Sequence, residues 1–178
     1  MNKINLVNSI SFFRLFSAPV ILWMILEDKL TIAFWIFFLA ALSDTIDGFL
    51  ARKLKLITEF GKILDPLSDK ILIFSVFISL SYKDMLAVPI IIIIILRDFV
   101  ILLGTVISLL FKKKFSYSPL KIGKITFFFQ SLYAGVLLCH YSNLYNLEFV
   151  IKYFGLFIIY ITLISGILYL IRWFKEVF

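Results

Sequence analysis

Apolar stretches of about twenty residues recur along the whole chain, separated by short polar connections, and a helix needs about that many to cross the hydrocarbon of a bilayer. A soluble fold built on one very large core does not explain runs that return from end to end. Six segments read as spanning helices, at roughly 9 to 27, 31 to 51, 60 to 82, 86 to 111, 120 to 141 and 148 to 172. No repeat and no Pro/Gly-rich linker divides them, so residues 1–178 are expected to form one all-α, polytopic membrane domain. Composition agrees: 62% of residues are hydrophobic and 16% charged, against about half and about a quarter in soluble domains. The bilayer is the solvent.

The charges then acquire a position. A formal net charge of +7 is compatible with nucleic acid, but the Lys and Arg residues form no continuous stripe interleaved with aromatics. They sit between the apolar runs. The connections at Lys29, Lys83 and Lys152 carry one basic residue each, whereas Arg52, Lys53 and Lys55, Lys112 to Lys114, and Arg172 with Lys175 cluster on the other side. By the positive-inside rule both termini and the second and fourth connections face the cytoplasm. This is the pattern of an inner, cytoplasmic membrane of bacterial type. Lys112 to Lys114 read chiefly as topology signals, with attraction to anionic lipid heads as the alternative. The N-terminal stretch resembles a secretory signal, yet Arg14 interrupts it and no small-residue cleavage site closes it, so it is expected to be retained. Cys139 is the only cysteine, which excludes an intrachain disulfide and a cysteine-based metal site. Phe127 to Phe129 and Ile90 to Ile95 read as lipid-facing or packing surface.

Against this background the acids of the second and third segments stand out. A carboxylate at the centre of a spanning helix costs about 2.5 to 3.5 kcal/mol on insertion scales, and such groups usually face the bundle interior and mark a functional site. Asp44 and Asp47 are three residues apart, and Asp65 and Asp69 four apart, so each pair projects from one face of its helix. The two segments form a hairpin turning near residues 53 to 59, which carries the pairs to similar depth on its two arms. Four clustered carboxylates repel unless protons or cations intervene, and hard divalent ions such as Mg2+ or Mn2+ prefer oxygen ligands. Two such ions balance the charge, and a two-metal arrangement suits displacement at phosphorus.

The neighbours of these acids fit a nucleotide. Gly48 and Ala51 leave the helix surface bare beside Asp47, and Arg52 can pair with a diphosphate. Thr58 and Gly61 stand across the turn, where hydrogen bonds or close approach are available. Taken singly, Gly48 with Ala51 equally fits small-residue helix packing, and Arg52 a cytoplasmic anchor. Taken together, Asp44-x-x-Asp47-Gly48-x-x-Ala51-Arg52, eight residues, then Gly61-x-x-x-Asp65-x-x-x-Asp69 resembles the motif of the CDP-alcohol phosphatidyltransferase family at every defined position. The resemblance implies six helices, divalent metals held by Asp44, Asp47, Asp65 and Asp69, and CDP bound beside Gly48, Ala51, Arg52, Thr58 and Gly61. It also implies Asp69 as the proton acceptor.

Further matches cover most of the chain: Asn8-x-x-Ser11-x-x-Arg14, Asp65-Pro66-Leu67-Ser68-Asp69-Lys70 and Gly123-Lys124-x-Thr126-x-x-x-Gln130. These resemble the branch of the family whose donor is CDP-diacylglycerol and whose acceptor is sn-glycerol 3-phosphate. Val7 and Ser11 stand where that branch often has proline and threonine. Serine, inositol phosphate, choline or phosphatidylglycerol remain as other acceptors, because the core motif does not separate them. An acceptor with its own phosphate needs cations outside the metal pair. Arg97, within the fourth segment, is the first candidate, with Lys121 and Lys124 completing the pocket. The alternatives are that Arg97 makes a buried ion pair with an acid, Asp98 being adjacent, and that the lysines are topology signals. His140, at the far membrane face from the aspartates, reads as an interfacial residue rather than a base. A cation transporter also uses intramembrane acids, but it does not require the Gly48, Ala51, Arg52 and Gly61 spacing and usually shows paired broken helices. The oligomeric state stays open, a homodimer included.

Overall fold

The computed structural model describes residues 3–54, 59–110 and 121–177, with side chains described at 13–43, 65–104, 107 and 121–175. The regular elements among them are all α-helices: α1 (Lys3–Leu26), α2 (Leu30–Leu54), α3 (Glu59–Tyr82), α4 (Val88–Leu110), α5 (Lys121–Tyr141) and α6 (Glu148–Val177). They coincide with the six apolar runs, and three ends are longer than the runs imply. No Pro or Gly separates Lys3 from Arg14, so helical hydrogen bonding continues upstream through Asn8 and Asn5. At the ends of α2 and α6 the basic residues are themselves good helix formers, and their long stems let the heads reach water while the backbone stays helical.

Two compact units result, Met1–Leu86 with Ala134–Leu147, and Ala87–Tyr133 with Glu148–Phe178. In the first, α1 packs on α2 and α3 around Ala18, Ile21, Ile25, Phe37, Val76, Phe77 and Leu80, all buried. Ser17, Ser75 and Ser79 are buried as well, but each donates to its own helix, to the Phe13 carbonyl at 2.8 Å, the Ile71 carbonyl at 2.8 Å and the Ser75 carbonyl at 2.6 Å. They act in the interface as small residues that let helices approach, not as links between helices. Two prolines, Pro19 and Pro66, lie inside α1 and α3.

The turns that end α1, α3 and α5 share one device. Asp28, Asp84 and Asn143 adopt φ of 59°, 56° and 58°, the left-handed conformation that Asp and Asn tolerate better than most residues. After Asp28 the Lys29 N–H reaches back to the Met24 carbonyl at 2.8 Å, and after Asp84 the Met85 N–H reaches the Leu80 carbonyl at 2.9 Å, closing the helix ends. Side chains then tie these turns together. Lys83 Nζ lies 2.7 Å from both carboxylate oxygens of Asp28, Thr31 donates to the Ser142 carbonyl at 3.4 Å, and the Tyr141 hydroxyl donates to the Met85 carbonyl at 2.6 Å.

In the second unit α4 packs on α6, with Tyr169 of α6 against Ile101 and Trp173. Phe129 of α5 meets Phe154 and Phe157 of α6 edge-on. A Cβ at Gly155 would lie 2.8 Å from the Tyr133 hydroxyl, so glycine is what lets α6 approach that ring. Gln130 Nε2 donates to Thr162 Oγ1 at 3.1 Å, both side chains buried. The isoleucine run of α4 divides by helical period: Ile90, Ile91 and Ile94 are buried, Ile92 and Ile95 exposed.

The exposed side chains include Phe16, Trp23, Trp35, Leu102, Phe128, Phe149 and Tyr160. Large apolar groups on this scale are a surface for lipid, not water. Among the described residues Lys121–Tyr141 and Glu148–Lys175 are long and apolar enough to cross a membrane.

Candidate active site

Asp44, Asp47, Gly48, Ala51 and Arg52 all lie on α2, near its C-terminal end, while Gly61, Asp65 and Asp69 lie on the first half of α3. Both backbones are helical there, so the three-residue and four-residue spacings place each aspartate pair on one helix face. The side chains of Asp44, Asp47, Ala51 and Arg52 lie outside the described residues, as do Thr58 and Lys112 to Lys114 entirely. Asp65 and Asp69 are described. Their side chains are 42% and 23% exposed, the first open and the second turned inward. Ser68, between them, is fully buried and donates to the Asp65 carbonyl at 2.9 Å.

The inward side of this pair meets a residue that sequence reasoning left out of the site. Arg14 of α1 is 2% exposed. Its Nη1 donates to Asp69 Oδ1, and its Nη2 lies 3.6 Å from Asp65 Oδ1. The packing of α1 on α3 creates this contact, joining positions 55 residues apart. A signal was present in the sequence, because an arginine inside an apolar run is as costly as an aspartate and needs a partner for the same reason. The sequence marks Arg14 as an interruption of the N-terminal stretch and as the end of Asn8-x-x-Ser11-x-x-Arg14, and neither reading names its partners.

Among the described residues no group of three or more His, Cys, Asp or Glu side chains gathers to hold a metal; the described part of the aspartate set is Asp65 with Asp69. As donors these fit a hard divalent cation: both are carboxylates, and Asp65 is open on one side. Arg14 engages Asp69 through Oδ1.

The second unit holds the other expected cation. Arg97 of α4 has a side chain only 10% exposed, pairs through Nη1 with Oδ1 of Asp98, and donates from Nη2 to Ser165 Oγ of α6 at 2.9 Å. The buried ion pair considered as the alternative is therefore formed, with the adjacent residue. It does not exhaust the guanidinium, which carries five N–H donors, and the buried Nε has no hydrogen-bond partner among the described residues. A Cβ at Gly123 would lie 3.0 Å from Arg97 Nη2. The first turn of α5, with Lys121 and Lys124 exposed on either side of Gly123, thus lies against the Arg97 head. Of the three residues expected at the acceptor phosphate, the structure brings Arg97 to the turn that bears the two lysines.

His140 is occupied otherwise. Its Nδ1 accepts the Leu147 N–H at 3.1 Å, fixing the turn after α5, and it has a structural role there.

Comparison with known proteins bears on what such residues do. Residues 4–169 match the model of the family described as CDP-alcohol phosphatidyltransferase. A CDP-diacylglycerol–glycerol-3-phosphate 3-phosphatidyltransferase of Aquifex aeolicus (strain VF5) is 34% identical over 182 residues, covering 98% of this chain and 98% of that protein. One of the same name from Bacillus subtilis (strain 168) is 44% identical over 66 residues, covering 37% of this chain and 34% of that protein. A cardiolipin synthase (CMP-forming) of Homo sapiens is 42% identical over 98 residues, 54% of this chain and 33% of that protein.

Proposed function

The chain belongs to the CDP-alcohol phosphatidyltransferase family, and on that premise we propose that it transfers the phosphatidyl group of CDP-diacylglycerol to sn-glycerol 3-phosphate, giving phosphatidylglycerol phosphate and CMP. The observation that carries this reading is the match along 98% of both chains to a protein named for that reaction. All 178 residues would act as one catalytic domain of six spanning helices. Both termini and the α2–α3 connection would lie on the cytoplasmic side of an inner membrane, as the basic clusters require.

In this reading the donor's acyl chains stay in lipid and its diphosphate reaches the helix ends from the side. Asp44, Asp47, Asp65 and Asp69 would hold divalent cations, Mg2+ or Mn2+ and two in number, which when bound supply positive charge to the phosphate oxygens. Gly48 and Ala51 give the nucleotide a bare surface, Arg52 offers a fork of donors to the diphosphate, and Thr58 and Gly61 flank it across the turn. Asp69 Oδ2 accepts the proton of the acceptor hydroxyl. The hydroxyl oxygen bonds to the phosphorus that carries diacylglycerol, and the bond from that phosphorus to CMP breaks, CMP leaving with the electron pair. Arg97, with Lys121 and Lys124, binds the acceptor's phosphate. The unused donors of Arg97, Nε among them, are what this role needs.

The likeness to cardiolipin synthase favours one second reading, in which phosphatidylglycerol is the acceptor. The test is CMP release from CDP-diacylglycerol by purified protein in detergent, across sn-glycerol 3-phosphate, phosphatidylglycerol, serine and inositol phosphate. Release only with sn-glycerol 3-phosphate is expected. Release with phosphatidylglycerol alone would install the second reading, and release with none would remove both.

A further inference from the structure

Arg14 brings a guanidinium, the most basic of the side-chain groups, into the interior of its unit. It is 2% exposed and touches two of the four motif aspartates. A lysine in this place could become neutral. An arginine cannot, so a permanent positive charge stands against the carboxylates that also have to receive cations.

We propose that Arg14 is a positioning residue that sets the cation affinity of the aspartate site, weakening metal binding before the donor arrives. The inference rests on the metal-dependent phosphatidyltransfer reading and adds a residue outside its motif. Two physical effects follow from the geometry. Through Asp69 Oδ1 the guanidinium fixes the orientation of that carboxylate, which sets where Oδ2 points. Through its charge it occupies part of the field that draws in divalent ions, and at separations of a few ångströms in a poorly screened site this is a large term. Four carboxylates and two divalent ions sum to zero; with Arg14 the site carries one positive charge, which favours the anionic diphosphate. Metal and donor therefore bind best together.

The experiment is Mn2+ binding by the purified protein in detergent without substrates, followed by electron paramagnetic resonance and by the metal-induced shift in Tm. Wild type is compared with Arg14→Gln, Arg14→Met and Arg14→Lys, all purified with Mn2+ present and then exchanged. Arg14→Gln should bind Mn2+ at least about tenfold more tightly, as removal of a unit charge at this range implies. Its metal-induced rise in Tm should be larger, its KM for CDP-diacylglycerol higher and its kcat lower. Arg14→Met, which suits an apolar helix without a polar group to satisfy, should show the same tightening. Arg14→Lys keeps the charge and should hold Mn2+ affinity near wild type while recovering only part of kcat, since one ammonium does not span both carboxylates.

A strut that merely joined α1 to α3 would lower Tm equally with and without metal and leave Mn2+ affinity unchanged, which would overturn the proposal. So would tightening in Arg14→Lys equal to that in Arg14→Gln. Loss of fold in both neutral variants even with Mn2+ bound also overturns it, because the metal would then be unable to replace the arginine. Wild type that binds no Mn2+ would instead remove the metal-dependent reading on which the proposal stands.

Discussion

Each of the two units buries an arginine, and the two arginines are held in opposite ways. Arg14 reaches across to α3, and the acids it meets are 55 and 51 positions away in the chain (69 − 14 and 65 − 14). Arg97 turns to the residue beside it, Asp98, and to a hydroxyl on α6. Neighbouring residues on a helix point about 100° apart, so only a long side chain bending along its own helix makes such a pair. The difference separates two kinds of charge. The Arg97 charge is paired locally, with the acid next to it in the chain. The Arg14 charge meets residues that the proposed mechanism also uses, so whatever engages them alters Arg14 as well.

The largest effect should come from the aspartates that Arg14 touches. Asp69→Asn is expected to abolish turnover while sparing donor binding more than Asp65→Asn does, measured as CMP release beside retention of a CDP-diacylglycerol analogue. Equal loss of donor affinity in both would make Asp69 chiefly a ligand and leave the proton without an acceptor. Next comes Arg97→Gln, where the KM for sn-glycerol 3-phosphate should rise by roughly ten- to more than hundredfold, as a charge-assisted contact of about 1.5 to 3 kcal/mol implies. The KM for CDP-diacylglycerol should stay near wild type. Should thermal stability and folded yield fall while both KM values hold, Arg97 is structural and leaves the acceptor site.

Gly123→Ala tests the same pocket more gently. The new methyl group would sit 3.0 Å from Arg97 Nη2 and displace the head by a few tenths of an ångström, so a several-fold rise in the KM for sn-glycerol 3-phosphate with little change in kcat is expected. An unchanged KM would place the phosphate away from Nη2. The smallest effect belongs to the turns. Lys83→Met breaks a pair whose acid is 68% exposed, and exposed pairs contribute about 0.2 to 1 kcal/mol. Tm should drop slightly, with kinetic constants unchanged.

What the sequence made readable follows the range of the interactions involved. The helices were legible because an apolar run of about twenty residues is a local property. The positions of Asp44, Asp47, Asp65 and Asp69 were legible because helical spacing is local too. The start of α1 at Lys3 was not, since Lys3, Asn5 and Asn8 look like a polar lead-in although none of them breaks a helix. Arg14 shows the limit best. Its cost inside an apolar helix could be read from the chain, but its partners depend on α1 lying against α3, which no local pattern encodes. Arg97 is a related case: its need for an acid was readable, with Asp98 adjacent, whereas the Ser165 hydroxyl, 68 residues on, was not.

The two prolines of the first unit have a consequence of their own. Pro19 and Pro66 have no N–H, so the carbonyls four residues earlier, at Leu15 and Lys62, lose their helical donors. One of these oxygens adjoins Arg14 in the chain, and the other lies one turn before Pro66, near Asp65. Within hydrocarbon an unbonded carbonyl is too costly to leave dry, so each must be met by a donor from outside its helix. Water is the smallest such donor. The two helices that share the Arg14 contact are thus each opened by one covalent feature in the same stretch, while the turns at the other end of α1 and α3 are bonded shut.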